Sequence, residues 1–238
     1  MQRRLAPAVM SVLLATVALW TQAVRAQERV LPDTIAQRVQ ACSVCHGEQG
    51  RATSAGYFPR IAGKPAGYLY NQLLNFRDGR RTNGVMTYLV DQLSDDYLRE
   101  IAEYFSRQDL PYPPPQKAEA PAAVLARGET LVRRGDAALQ LPACAQCHGA
   151  ALTGVLPAVP GLLGLPRDYL TAQLGAWRTG QRQARAPDCM HTVASRLTGQ
   201  DVSALAQWLA AQTPPANGHP AERLPAPMPL ECGSGAKP

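Results

Sequence analysis

The sequence predicts an all-α protein made of two tandem, related lobes. The pattern C-x-x-C-H-G occurs twice, at 42–47 and 144–149, 102 residues apart. Flanking segments recur at nearly the same offset. Phe58-Pro59-Arg60-Ile61-Ala62-Gly63 returns as Val159-Pro160-Gly161-Leu162-Leu163-Gly164, and Tyr68-Leu69-x-x-Gln72-Leu73 returns as Tyr169-Leu170-x-x-Gln173-Leu174. Such self-similarity marks a duplicated unit. Apolar residues recur at three- and four-residue spacing, and no stretch alternates with a convincing β-period.

The elements follow in chain order. Residues 1–26 read as a secretory signal peptide: Arg3 and Arg4 precede an apolar run, and Ala23 and Ala26 offer small residues for cleavage. The apolar run is short for a membrane span. The first lobe is assigned to 27–108. In it Asp33 is placed to cap a helix carrying Ile35, Val39 and Cys42 as far as His46, with Gly47 ending it. A loop through Tyr57, Phe58 and Pro59 follows. A second helix is expected over 65–77, burying Leu69, Leu73 and Phe76, with Gly79 as its stop. Residues 80–93 read as a loop carrying Met86. Ser94 opens a last helix with Leu98, Ile101, Ala102 and Phe105 on one face.

Residues 109–121 read as a linker. Pro111-Tyr112-Pro113-Pro114-Pro115 favours an extended, semi-rigid spacer that holds the lobes at a fixed separation. The second lobe, 122–212, opens with an extra amphipathic stretch at 122–134. An attachment helix after Leu141-Pro142, a middle helix at 169–177 and a last helix capped by Thr198 follow. Residues 213–238 form a Pro-rich tail.

Composition excludes several classes. The chain of 238 residues is 46% hydrophobic and 18% charged, ordinary for a folded protein. Its formal charge of +6 is carried without a dense basic run, so nucleic acid is not an expected partner. Removing residues 1–26 takes away Arg3, Arg4 and Arg25 and no acid, which halves that charge.

The two C-x-x-C-H motifs carry the chemistry. On a helix, positions i, i+3 and i+4 share a face. Two cysteines there can form thioethers to the two vinyl groups of one porphyrin, and the adjacent histidine lies under the iron. This is the attachment signature of haem c. A zinc site would need four ligands, and a thioredoxin-like pair would need a βαβ setting. Neither accounts for one histidine per pair. The expected cofactors are therefore two covalently attached haem c groups, held by Cys42 and Cys45 and by Cys144 and Cys147, with His46 and His148 as proximal ligands. Each lobe, at roughly 80 to 90 residues, is small for a self-sufficient core, and a buried haem supplies apolar mass.

Three methionines follow residue 26: Met86, Met190 and Met228. Met86 lies 40 residues after His46 and Met190 lies 42 after His148, each before the last helix of its lobe. A thioether suits haem iron and raises its potential. The register nominates both as sixth ligands. In the first lobe the alternative is an open iron or a weaker donor. In the second, His191 and Cys189 stand beside Met190 as rivals.

Of the arginines after the middle helices (Arg77, Arg80 and Arg81; Arg178, Arg182 and Arg185), one or two are expected to meet haem propionates. Cys189 and Cys232 remain. An even remainder in an oxidising compartment points to a disulfide strapping the tail across the Met190 side. The alternative is a free, reactive Cys189 beside the iron.

With these residues in place the chain resembles the di-haem cytochrome c4 family. The likeness covers residues 30–212 and rests on the two haem motifs, the Pro59 and Pro160 segments, Tyr68-Leu69-x-x-Gln72-Leu73, the Met loops and Leu139-Gln140-Leu141-Pro142-Ala143-Cys144. It implies two class I cytochrome c domains, each wrapped around one covalently bound haem, with His46/Met86 and His148/Met190 as axial pairs. It also implies a periplasmic electron carrier of a respiratory chain. Its partners would be redox proteins such as a terminal oxidase, a quinol-oxidising complex or a periplasmic dehydrogenase, with peripheral contact at the inner membrane. Cys189 and the tail with Cys232 depart from the family pattern. The chain carries no general acid/base constellation at recognisable spacing and is expected not to be an enzyme. A reading of another class is a di-haem enzyme of thiosulfate dehydrogenase or peroxidase type, invited by Cys189 and His191 beside Met190. A third is a cytochrome subunit of a dehydrogenase.

Overall fold

The computed structural model describes residues 32–53 and 58–235. The expected leader lies outside the described residues. The fold is helical, with one two-stranded hairpin.

The first helix is broken. α1 (Ile35–Arg38) and α2 (Gln40–His46) meet at a kink at Val39. Thr34 is the cap, its side chain accepting from the Gln37 amide; Asp33 instead pairs with Arg38 at 2.6 Å. Gly47 ends α2 at φ 76°, and Gly149 repeats the turn after the second motif at φ 84°. A Cβ at Gly47 would collide with the Ala52 carbonyl, so the motif needs glycine there.

α3 (Ala66–Arg77) and α5 (Asp95–Ser106) pack together as the spine of the first lobe. The expected face of α5 is the buried one: Leu98 0%, Ile101 6%, Ala102 1% and Phe105 2% exposed. Burying each large side chain of that face is worth about 1.5–3 kcal/mol. Ser94 caps α5, and Asp95 and Asp96 sit in its first turn, where the helix dipole favours acids. Residues 80–93 are not all loop. Asn83 caps a short α4 (Gly84–Val90) that carries Met86.

The second lobe repeats this plan. α6 (Ala122–Arg133) packs on α10 (Gly199–Ala210), which also meets α8 (Arg167–Arg178). The stretch expected as extra is thus part of the core: Leu131 and Val132 are 2% and 0% exposed. α7 (Cys144–His148) carries the second motif, and α9 (Cys189–Arg196), capped by Asp188, carries Met190. β1 (Gly154–Val155) pairs antiparallel with β2 (Val159–Pro160), a hairpin absent from the sequence expectation.

The lobes touch directly. Gly67 at the start of α3 donates its N–H to the Pro157 carbonyl at 3.0 Å; a Cβ there would sit 2.7 Å from that oxygen. Residues 80–83 run antiparallel to 181–183, bridged at Arg81 and Arg182. The Pro-rich linker does not stand free between the lobes. It lies against the protein: Arg60 donates to the Leu110 and Pro111 carbonyls, its guanidinium stacks 4.6 Å from the Tyr112 ring, and the Gln116 amide donates to the Ala210 carbonyl.

The tail is pinned as well. Ala221 exchanges hydrogen bonds with Gly154 and Leu156, Cys232 is bonded to Cys189, and the Ser234 carbonyl accepts from Asn71 of the first lobe.

Candidate haem sites

Each motif presents its histidine in the same way. His46 Nδ1–H donates to the Pro59 carbonyl at 2.9 Å, and His148 Nδ1–H donates to the Pro160 carbonyl at 2.7 Å. A carbonyl only accepts, so Nδ1 holds the proton and Nε2 keeps its lone pair for a metal. This is the repeated Pro59 and Pro160 segment acting as a support for the ligand. Burial lowers the pKa of both imidazoles, which favours the neutral ring that a metal requires.

In the second lobe Cys144, Cys147, His148 and Met190 line one cavity. Its walls are apolar, with Leu131, Leu141, Leu205 and Leu209 among them. Burial pushes the Cys144 thiol up to about 12 and raises Cys147 too. A free thiolate is disfavoured there; a neutral thioether is not. Trp177 is also on the cavity wall, and its buried Nε1 has no hydrogen-bond partner among the described residues. A large apolar ligand bearing acceptors at its edge fits this lining, and haem with its propionates is such a ligand.

The neighbours of Met190 are placed otherwise. Cys189 is bonded to Cys232, with sulfurs 2.05 Å apart. His191 is exposed, donates from Nδ1 to the Trp177 carbonyl at 3.2 Å, and does not line the cavity that Met190 lines. His219 is on the surface, 3.8 Å from Asp109. Met228 and Leu230 of the tail line the same cavity as Met190, so the disulfide does hold the tail over that side.

In the first lobe Cys42 packs with the cluster around Val39, Leu69, Ile101 and Phe105. Met86, in the first turn of α4, packs with Leu74, Phe76, Val90 and Leu98. The two clusters share Tyr70, Leu73 and Leu93.

The arginines divide. Arg77 pairs with Asp95 at 2.7 Å, and Arg80 pairs with Asp78 at 2.6 Å. Among the described residues Arg81 and Arg182 instead meet neutral partners at the lobe boundary: they donate to Gln72, Gln173, and Tyr169 or Tyr68, and stack on Phe76 and Trp177 respectively. Burial, together with the Arg81 charge, lowers the pKa of the Arg182 guanidinium, which also lines the second cavity. Sequence reasoning overlooked Lys64, a buried lysine on that cavity wall. Its only signal was to be one of three lysines in the chain.

The family profile described as Cytochrome c matches residues 125–213. A protein of Thiomonas intermedia named "Thiosulfate dehydrogenase electron acceptor" is 41% identical over 175 residues, covering 72% of this chain and 78% of that protein. Cytochrome c4 of Pseudomonas aeruginosa is 33% identical over 174 residues, covering 72% of this chain and 84% of that protein. Among solved structures, reduced cytochrome c4 from Pseudomonas stutzeri superposes with TM-score 0.65 at 31% identity, covering 75% of this chain and 97% of that one. Thiosulfate dehydrogenase (TsdBA) from Marichromatium purpuratum superposes with TM-score 0.64 at 33% identity, covering 76% of this chain; the present chain spans only 39% of that one. The chain belongs to the cytochrome c4 family of di-haem electron-transfer proteins, whose haem c is covalently bound, and its two C-x-x-C-H motifs are consistent with one such group in each lobe.

Proposed function

We propose that the protein is an exported, periplasmic electron carrier that accepts electrons from a thiosulfate dehydrogenase and delivers them to a respiratory acceptor. Relatives named as electron acceptors of that enzyme support the donor, at 41% and 37% identity. His46 and Met86 would hold the iron of the first lobe's haem, and His148 and Met190 that of the second. The lobes, 27–108 and 122–212, work as one-haem units.

The observation that carries this reading is the matched pair of imidazoles, each locked by a proline carbonyl with Nε2 free. Haem supplies one-electron exchange at iron. The chain supplies the rest. Pro59 and Pro160 orient the imidazoles. Leu131, Leu205 and Leu209 exclude water from the second site. The disulfide at Cys189 and the position of His191 off the cavity wall support Met190 as the second donor.

The test is reduction of the oxidised protein by thiosulfate with and without a thiosulfate dehydrogenase. Reduction of both haems only when the enzyme is present is expected. Reduction by thiosulfate alone would make this chain an enzyme instead.

A further inference from the structure

Lys64 stands in the turn before α3 of the first lobe, yet its side chain lines the cavity of the second. It is 8% exposed. Among the described residues its ammonium makes one long hydrogen bond, 3.3 Å to the Gly161 carbonyl. The titratable groups acting on it are Tyr169 and Arg60, neither of them a carboxylate. Burial pushes its pKa down to about 8. A buried ammonium without an anion is costly, and native proteins pair such groups. Arg182, on the same cavity wall, likewise has no carboxylate partner among the described residues: it donates to Gln72, Gln173 and Tyr68 and stacks 3.7 Å from the Trp177 ring. One acid, Asp188, also lines the cavity, but its carboxylate caps α9, accepting from the Ala184 and His191 amides, and among the described residues neither Lys64 nor Arg182 forms an ion pair with it.

Haem carries two propionates, and Cys144, Cys147 and His148 share this cavity with the unpaired cations. We propose that Lys64, reaching across from the first lobe, is a binding residue for a propionate of the second lobe's haem. The inference rests on the second lobe holding that haem. It makes the second site a composite of both lobes. It also makes the two sites unequal. The position equivalent to Lys64 in the repeat is Leu165, which lines the cavity of its own lobe. The first haem thus receives no matching ammonium, whereas Arg81 and Arg182 serve the boundary as equivalents. A buried positive charge beside a haem favours the reduced iron, so Lys64 holds the potential of the second haem above the value that its axial ligands alone would set.

The test is a spectrally resolved redox titration of intact, haem-loaded Lys64→Met and Lys64→Arg proteins, with haem content confirmed by mass. Lys64→Met is expected to lower the potential of the second haem and leave the first unchanged, and Lys64→Arg to restore most of the drop. A side chain needed only for packing would not make the potential follow charge. Two attached haems with unchanged potentials in Lys64→Met overturn the proposal. Absence of haem from the second lobe of the wild-type protein overturns the reading beneath it instead. Should neither variant accumulate, wild-type protein labelled with nitrogen-15 lysine decides. The Lys64 ammonium signal should shift on oxidation of the second haem, and its indifference to that step contradicts the contact.

Discussion

Arg81 and Arg182 face each other across an antiparallel bridge that joins the two lobes. The Thr82 amide donates to the Gln181 carbonyl at 3.1 Å, and the Gln183 amide donates to the Arg80 carbonyl at 2.6 Å. The side chains then cross over. Arg81 donates to Gln173 at 2.7 Å and to Gln72 at 2.9 Å; Arg182 donates to the same two acceptors at 2.7 and 2.9 Å. Because these residues are repeat equivalents, the lobes meet about a local two-fold, each arginine binding its own and its counterpart's glutamine. Arg182→Ala should take one of two donors from each glutamine and the bond to Tyr68 from the boundary, costing on the order of 1–3 kcal/mol. Denaturant unfolding should register the loss, and proteolysis within 109–121 should accelerate while both haems stay attached. Wild-type stability in that variant would show that the bridge contributes nothing to docking.

Met86→Ala removes the donor proposed for the first iron. One carbon monoxide per chain should bind to the reduced variant, against none in the wild type. The potential of the first haem should fall, since thioether ligation raises it. Titration of carbon monoxide against the haem spectrum checks this; a variant that binds none takes its sixth ligand from another residue.

Much of this was legible in the chain. The haem motifs, their period and the buried face of α5 follow from spacing alone. The helices under the two methionines, α4 and α9, were missed for a physical reason. α4 has no polar face to define a period, and Val85, Tyr88 and Leu89 are exposed on it. The readable signals were the caps, Asn83 and Asp188, each accepting from an amide three residues on. The lobe boundary was not legible at all. Arg81 and Arg182 read as propionate contacts or solvated cations, and Lys64 carries no signal, until the fold brings one repeat against the other. The tail strap was foreseen from cysteine parity, but the anchoring of Ala221 on β1 was not.

Cys232→Ser should free that strap. The disulfide spans 43 residues, and closing such a loop is worth up to ~4 kcal/mol in the entropic account. The tail should become protease-sensitive, and the second lobe should unfold at lower denaturant than the first. Thiol labelling of the unreduced, denatured wild type should find no free cysteine; label at Cys189 would contradict the strap.

Acid should loosen the second lobe through Arg127. Its guanidinium binds Asp201 at 2.8 Å and Asp136 at 2.7 Å, tying α6 to the start of α10. Burial acts to raise the Asp201 pKa, but bonds from Thr198 and Arg127 outweigh it and the net shift is downward; Arg127 lowers Asp136. A carboxylate with a depressed folded pKa contributes stability that is present above its unfolded value, ~3.9, and is lost as pH falls through the folded value. Urea midpoints of the second lobe should therefore hold from neutral pH to ~4.5 and drop below. Asp201→Asn should lower the neutral-pH midpoint and flatten the acid limb; an unaltered limb would place the acid sensitivity elsewhere.

The central claim is that both irons sit between an imidazole and a thioether. The red absorption band of ferric haem that reports iron–methionine bonding, measured per mole of protein with both haems counted by mass, tests it most directly. The account predicts intensity for two such bonds and no high-spin signal. Intensity for one bond, or a high-spin component, would contradict it and leave one haem open for chemistry of its own.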